Sequence, residues 1–503
     1  MKRKIFSFLL VMVMGLVGIF GFTACGDNDS GNDGKTDNGG NTPNVPDNDD
    51  KNDDGDDKND DKGWTEMPES GFDTTKPVTI TFHHTMGRML SDVLQGAIDD
   101  FTDIYPNITV NEEAVGTYED VRDQTLKEIE EGNQPNVVYC YPEHIADFIA
   151  KDAVVPLNGF LPDGEYKDKT VTLPDGTKVP LGFTQAEQEV FVQAYYQEGF
   201  YYGDSSTMYS LPFSKSTEVL YYNKAVFEQL GLGVPTTWDE MEAVCAALKT
   251  AYPNSTPLGY DSESNLFITM CEQLSSPYTS STGENFLFDN ATNRMFVEKF
   301  KSWVDNGYLT TQQVLGMYSS NIFTKKNCFM VVSSSAGARN YVPDRVDGEY
   351  PFEVGIASVP QINPDRPKVI SQGPSVCVLI QNNPQEMLAS WLLVKYLTTN
   401  VKFQAQFSAV SGYVPVTTAV LQHPGYVELL AEANGTDKLN YLALKACMEL
   451  AQTGCYFVPP VFEGSATARN QVGSLMAAVF KGDKTIDQAF KDAIDNCKSS
   501  IKK

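Results

Sequence analysis

The chain has little of what most enzyme chemistry uses. It holds four histidines and four tryptophans among 503 residues, and its nine cysteines include no pair spaced CxxC. It contains no HExxH, no GxSxG, no Walker-type loop and no signature pairing a nucleophilic cysteine with a histidine, which removes the enzyme classes those motifs mark. Positive charge is scarce. There are 38 lysines and arginines against 66 aspartates and glutamates, a net charge of -28. Nucleic acid and anionic lipid surfaces would repel such a chain and are not expected partners. Past residue 22 no run is long and apolar enough to cross a bilayer. An exported glycoside hydrolase stays open, because it needs only two opposed carboxylates on a rigid frame, and carboxylates are abundant.

What is present begins at residue 1. Lys2, Arg3 and Lys4 precede an apolar run from Ile5 to Phe22, which ends at Phe22-Thr23-Ala24-Cys25. A basic start, a hydrophobic stretch and small residues form an export signal. The run is about long enough to span a bilayer, so a retained membrane anchor is the rival reading. The cysteine directly after a small residue resembles the lipobox of bacterial lipoproteins, in which that cysteine is acylated and becomes the new N-terminus. Residues 1–25 are therefore expected to be a lipoprotein signal peptide, and Cys25 the lipidated residue that anchors the chain to the outer face of the cell membrane.

From residue 26 to about 71 the chain is mostly Asp, Asn, Gly, Lys and Pro. Such a segment buries too little apolar surface to offset the entropy of ordering and is expected to be a disordered acidic linker. About 45 flexible residues span roughly 35–40 Å, enough to act as a leash. Asp50 to Gly55, with Asp61 at the twelfth place, matches a calcium-loop pattern, but composition alone produces that match and no helical periodicity flanks it. The remaining roughly 430 residues suffice for two domains with sizeable cores. The eight cysteines beyond Cys25 are widely scattered, and Cys245, Cys271, Cys377 and Cys447 sit among apolar neighbours. Most read as small buried hydrophobes, with one disulfide left open.

The folded part starts as alternating strands and helices. Val78 to Phe82 reads as a buried strand, and Leu90, Leu94, Ala97, Ile98, Phe101 and Ile104 fall on one helical face. Ile108 to Val110 predicts a second strand, Asp120 to Glu131 a helix closed by Gly132, and Val137 to Tyr141 a third strand. The grammar recurs with a strand at Glu218 to Tyr222, a helix at Lys224 to Leu230, and a capping box at Thr237 and Glu240 opening another helix. Two successive α/β units predict two lobes with a cleft between them. His83 and His84 at a strand end cannot both face one site while the strand stays regular, so neither a metal nor any other cofactor is expected.

The stretch Leu211-Pro212-Phe213-Ser214-Lys215-Ser216-Thr217-Glu218-Val219-Leu220-Tyr221-Tyr222-Asn223-Lys224 resembles the lobe-crossing segment of the family 1 extracellular solute-binding proteins of ABC importers, within them the glycerol-3-phosphate-binding branch. Further matching segments follow the family order: Phe82 to Met86, Gly132 to Pro135, Thr237-Trp238, Ser333 to Ser335, Ser411 to Pro415 and Val479 to Phe490. The resemblance implies a type II periplasmic-binding-protein fold, with two α/β lobes joined by a three-crossing hinge. Crossings are expected near Tyr209–Phe213, Val331–Ser335 and Pro374–Val378. The implied lobes are residues 76–208 plus 334–374, and 209–333 plus 375–503. Partners are a small-molecule ligand, a sugar or sugar phosphate, and the permease subunits in the membrane, with the carrier itself a monomer.

Carried over position by position, the branch's ligand contacts fall on Tyr118, Ser216, Ser334, Gly373 and Tyr413. Glu143 stands one place beyond the branch's glutamate, where this chain has Pro142. Two cleft tryptophans have no counterpart near Ser262–Phe267. The arginine expected to face a phosphate falls near Val461, and Arg469 matches a different position. Arg88 or Lys215 could substitute, and His83 or His84 could line the cleft. Without that arginine a dianionic phosphate lacks a bidentate partner, which favours a neutral sugar or oligosaccharide over glycerol 3-phosphate or a glycerophosphodiester. A surface adhesin would account for anchor and leash but not for the crossing segments.

Overall fold

The computed structural model describes residues 71–424, 426 and 436–501. The stretch expected to be a signal peptide, Cys25 and the expected acidic linker up to residue 70 lie outside the described residues, as does the calcium-like stretch.

Among the described residues five strands form the first sheet. They are Val78–His84 (β1), Ile108–Ala114 (β2), Val137–Cys140 (β3), Leu211–Pro212 and Ser375–Val378. β1 lies parallel to both β2 and β3, and Ser375–Val378 closes antiparallel on β3. Burial explains the sequences. β3 is buried along its whole length, and β1 buries Ile80 and Phe82. The helix Arg88–Ile104 turns Leu94, Ala97, Ile98 and Phe101 onto the sheet, the face its periodicity predicts. The helix Tyr118–Glu131 starts at a Thr117 capping box and stops at Gly132 in the left-handed conformation. Helix Pro384–Thr399 belongs to this core too. Its Trp391 stacks on Phe160 with centroids 4.3 Å apart and donates its indole N–H to the Leu181 carbonyl.

The second sheet is built on the long strand Ser216–Asn223, bordered by Met330–Ser334 on one side and by Val354–Ser358 and Val369–Gln372 on the other. Leu258–Tyr260 and Leu309–Thr311 extend it in parallel. Its core holds Trp238, Trp303, Phe267 and Phe490, with helices Ser465–Lys481 and Ile486–Ser500 packed on it. The eight cysteines of the described residues are all free and buried.

The apportioning of chain to lobes differs from the expected one. Val354–Ser358 and Val369–Gln372 pair with Ser216–Asn223, so residues 334–374 belong with the second sheet. Ser375–Val378 pairs with β3, and helices Pro384–Thr399 and Val401–Ser411 carry first-core residues, so this stretch belongs with the first. The serine run at Val331–Ser335 is not a crossing either. The strand continues in the second sheet into a 3-10 turn, Ser335–Tyr341, whose Tyr341 ring stacks on Tyr221 at 4.0 Å. Hydrogen bonding to the second sheet on both sides leaves that segment no route out. The observed crossings are at 213–216 and 372–375, with a return between Val416 and the helix Thr436–Ala451.

The two adjacent crossings touch. Gly373 has φ +102, and a Cβ there would sit 2.4 Å from the Ser214 carbonyl oxygen and 2.8 Å from the Lys215 Cα. Both the backbone conformation and the contact demand glycine. Gly373→Ala should therefore lose at least about 3 kcal/mol of stability in urea unfolding. Gly482→Ala is the control. Gly482 also has positive φ but open space around its Cβ position, so its loss should be only about 1 kcal/mol. Equal losses would mean that the contact with the other crossing is not tight.

Candidate functional site

Beneath the crossings lies a buried ion pair. The Lys215 ammonium, fully buried, donates to Glu198 Oε2 at 2.5 Å, to the Gly373 carbonyl at 3.1 Å and to Ser375 Oγ at 3.2 Å. The second Glu198 oxygen accepts from the Ser371 hydroxyl. Every donor of the ammonium is thus used inside the protein.

Above it, four tyrosines gather where β3 ends and the helix Tyr118–Glu131 begins. The Tyr118 ring lies against Tyr141 with centroids 4.3 Å apart. Its hydroxyl is 3.4 Å from the Tyr413 hydroxyl and 3.5 Å from that of Tyr139, which is 2.9 Å from Ser214 Oγ. Burial pushes the Tyr118 and Tyr413 phenols above their ordinary range, so both remain proton donors at neutral pH. Tyr413 also lines a cavity of about 620 Å³ with Ser334, Ser333, Asn340, Asn321 and Tyr318 of the second lobe. All the polar side chains in this lining are hydroxyls or amides, with no charge among them. Its volume lies in the roughly 300–1,000 Å³ range of small-molecule sites. Another cavity, about 400 Å³, is lined only by residues 342–354 and 438–442 of the second lobe and meets neither the first lobe nor the hinge.

A smaller pocket of about 30 Å³ joins the lobes beside Gly373. Glu143, second residue of the helix Pro142–Ile149 on the first lobe, faces Arg469 of the second lobe with Oε1 3.7 Å from Nε. Asn265 Oδ1 accepts from Arg469, and Asn265 Nδ2 donates to Glu218 at 2.9 Å. Tyr260 donates to the other Glu218 oxygen at 2.5 Å. Glu218 is buried, and burial raises its carboxyl to about 7, with the two hydrogen bonds and nearby Arg469 pulling the other way. Close by, Asp147 binds Arg122 at 2.6 Å and accepts the Gly464 N–H at 3.2 Å.

Residues 96–432 match the family described as bacterial extracellular solute-binding protein. The chain belongs to that family. The sn-glycerol-3-phosphate-binding periplasmic protein UgpB of Salmonella typhimurium is 25% identical over 439 residues, which cover 83% of this chain and 91% of UgpB. The structure of UgpB from Mycobacterium tuberculosis in complex with glycerophosphocholine superposes with a TM-score of 0.65 at 15% identity, over 84% of this chain and 98% of that one. The cyclic alpha-maltosyl-1,6-maltose binding protein from Arthrobacter globiformis gives 0.63 at 16%, over 85% and 99%. At these identities the structural likeness speaks for the fold, the two-lobed periplasmic-binding-protein fold. This solute-binding protein is thus the extracytoplasmic substrate-binding component of an ABC importer.

Within this solute-binding protein, the structure brings Tyr118, Tyr413 and Ser334 to one place, and Glu143 and Gly373 to the adjoining pocket. Ser216 is buried at the start of the second sheet's long strand and lines neither. His84 is withdrawn from the cleft. Wholly buried, it bonds Glu112 through Nε2 and accepts the Met86 N–H through Nδ1 at 3.1 Å, and burial lowers its pKa. His83 points to the opposite face, toward Glu113 and Glu128, as strand alternation requires. Arg88 is exposed at the start of its helix and lines neither pocket, and Lys215 is consumed by Glu198. Sequence alignment alone passed over Arg469, which the helix Ser465–Lys481 delivers to the cleft. Ala466, Ala468, Val472 and Gly473 are buried around it, and an arginine among such small and apolar neighbours was the available signal.

Glu218 yields a pH prediction. Its folded pKa, about 7, lies above the ordinary carboxyl value of 4.5, so the unfolded chain ionises first as pH rises. Between about pH 4.5 and 7 this group therefore subtracts stability, to a total of about 3 kcal/mol. Glu218→Gln should gain stability relative to the parent across that window, read by urea unfolding at half-unit pH steps. A flat difference would show that Glu218 is ionised in the fold throughout.

Proposed function

We propose that this solute-binding protein captures a carbohydrate, a sugar or oligosaccharide, in the cleft between its lobes and hands it to the membrane permease. The carrier works as a monomer, tethered through a lipid on Cys25 and held within reach by the acidic segment that follows. The observation that carries the ligand reading is the uncharged lining of the large cavity, hydroxyls and amides around Tyr413. Such groups exchange hydrogen bonds with sugar hydroxyls, and a tyrosine ring offers a face to the apolar side of a pyranose. A phosphate dianion would find no cation there. Tyr118, Ser334, Tyr413, Gly373 and Glu143 are the proposed ligand-contact positions.

A second reading, glycerol 3-phosphate or a glycerophosphodiester, is favoured by Arg469 in the adjoining pocket and by the UgpB relatives. Against a dianion, Glu143 and Glu198 line the same small pocket, and like charges repel.

Thermal-shift and calorimetric titration of the full chain against mono- and oligosaccharides, glycerol 3-phosphate and glycerophosphocholine separates the two. A saccharide should raise the melting temperature without being consumed. Tyr413→Phe and Ser334→Ala should each weaken that saccharide about five-fold, the worth of one hydrogen bond. Stabilisation by the phosphate compounds alone would select the second reading, and product formation would reject both.

A further inference from the structure

We infer that the large cavity holds an oligosaccharide of at least two rings, with Tyr318 the aromatic platform for the ring nearest solvent. The inference rests on the carbohydrate reading and adds to it a size class and a specificity residue. Tyr318 lines the cavity wall yet keeps 57% of its surface exposed. An aromatic more than half exposed among the described residues, set in a polar cavity wall, offers the kind of surface on which the C–H side of a pyranose packs.

Its position is fixed from beneath. Ser319, the next residue, is fully buried, and its N–H donates to Asp261 Oδ1 at 2.8 Å. The other oxygen of Asp261 accepts the Tyr341 hydroxyl at 2.6 Å, so one buried carboxylate holds two parts of the same wall. Gly259 lets the loop sit this low, since a Cβ there would lie 2.4 Å from Ser319 Oγ. Asn321 Nδ2 donates back to the Tyr318 carbonyl at 3.0 Å, stiffening the turn. A ring on a pinned backbone loses little freedom when a ligand stacks on it.

Half-buried Tyr413 stands in the same lining, and Ser333, Ser334 and Asn340 supply hydroxyl and amide groups there. One tyrosine among polar groups serves one sugar ring. Of the three tyrosines in the lining, Tyr341 is buried with its ring stacked on Tyr221, and the other two, Tyr318 and Tyr413, serve a chain of rings in one cavity of about 620 Å³.

The test is calorimetric titration of the full chain with α-1,4-glucan, β-1,4-glucan and β-1,4-mannan series from one to four units, with glycerol 3-phosphate alongside. Within the bound series, affinity should rise steeply from the monosaccharide to the disaccharide or beyond. Tyr318→Ala should weaken the preferred oligosaccharide about ten-fold and the parent monosaccharide by less than about two-fold, while Tyr318→Phe keeps the ring and the affinity. A Tyr318→Ala protein that binds the oligosaccharide as the parent does, or a monosaccharide bound as tightly as its oligomers, overturns this inference alone. Binding of no saccharide by the parent chain overturns the carbohydrate reading, and this inference falls with it.

Discussion

The Lys215–Glu198 pair is the constraint on which the two-lobed arrangement depends. A charge with no exposure cannot be left without its partner, because an uncompensated buried ion costs several kcal/mol. Lys215 sits in one crossing, Glu198 in the first lobe just ahead of it, and the Gly373 carbonyl and Ser375 hydroxyl in the other crossing. One ammonium therefore ties three chain segments at a single point, and the missing side chain of Gly373 lets the two crossing backbones meet there. Away from that point each lobe has its own apolar core. The lobes also meet at Glu143 and Arg469, so rotation about the tie would open or close that pocket, the hinge motion by which two-domain binding proteins close on ligand.

The same pair settles what Lys215 is for. As a bare residue in a crossing segment it reads as a candidate anion ligand. In the fold its donors are spent on Glu198, Gly373 and Ser375. The cleft is divided accordingly. Its charge is confined to the small pocket, where Arg469 meets Glu143 and Glu198 stands nearby, whereas the large cavity keeps only neutral donors and acceptors. Neutral groups make weaker single bonds than charged ones, but a polyhydroxylated ligand can make many of them and leave no buried charge unpaired.

Local signals in the sequence carried much of the fold. The Thr117 and Thr237 capping boxes, Gly132 and the apolar face of the first helix all lie where periodicity and cap chemistry put them. The apportioning of lobes failed because it depends on which strand pairs with which. Val354–Ser358, Val369–Gln372 and Ser375–Val378 are all short strands, and nothing local in them says that the first two pair with Ser216–Asn223 and the third with Val137–Cys140. The family pattern named Tyr118, Ser334 and Tyr413 from distant parts of the chain, and the fold sets Tyr413 beside Tyr118 and in one cavity lining with Ser334. The withdrawal of His84 was not legible, because its neighbours Glu112 and Ser91 come from other elements, and only the paired register of β1 and β2 reveals that its ring is already occupied.

Arg469 and Tyr318 escaped for a related reason. Each is placed by what lies beneath it rather than marked by its own sequence context. Arg469 is held by Asn265, which is held by Glu218, and Tyr318 is placed by Ser319, which is held by Asp261. In both cases a buried carboxylate of the second lobe organises a residue at the cleft without reaching it. The two carboxylates differ in one respect. Glu218 accepts from two side chains, Asn265 and Tyr260, and burial drives it toward its neutral form, whereas Asp261 accepts from one backbone N–H and one phenol. The wall carrying Tyr318 thus rests partly on the main chain, and the wall carrying Arg469 on side chains around a carboxylate that gains a proton as the medium acidifies. Acidification through about pH 7 therefore alters the support of the charged pocket, where Glu218 holds Asn265 and Asn265 holds Arg469.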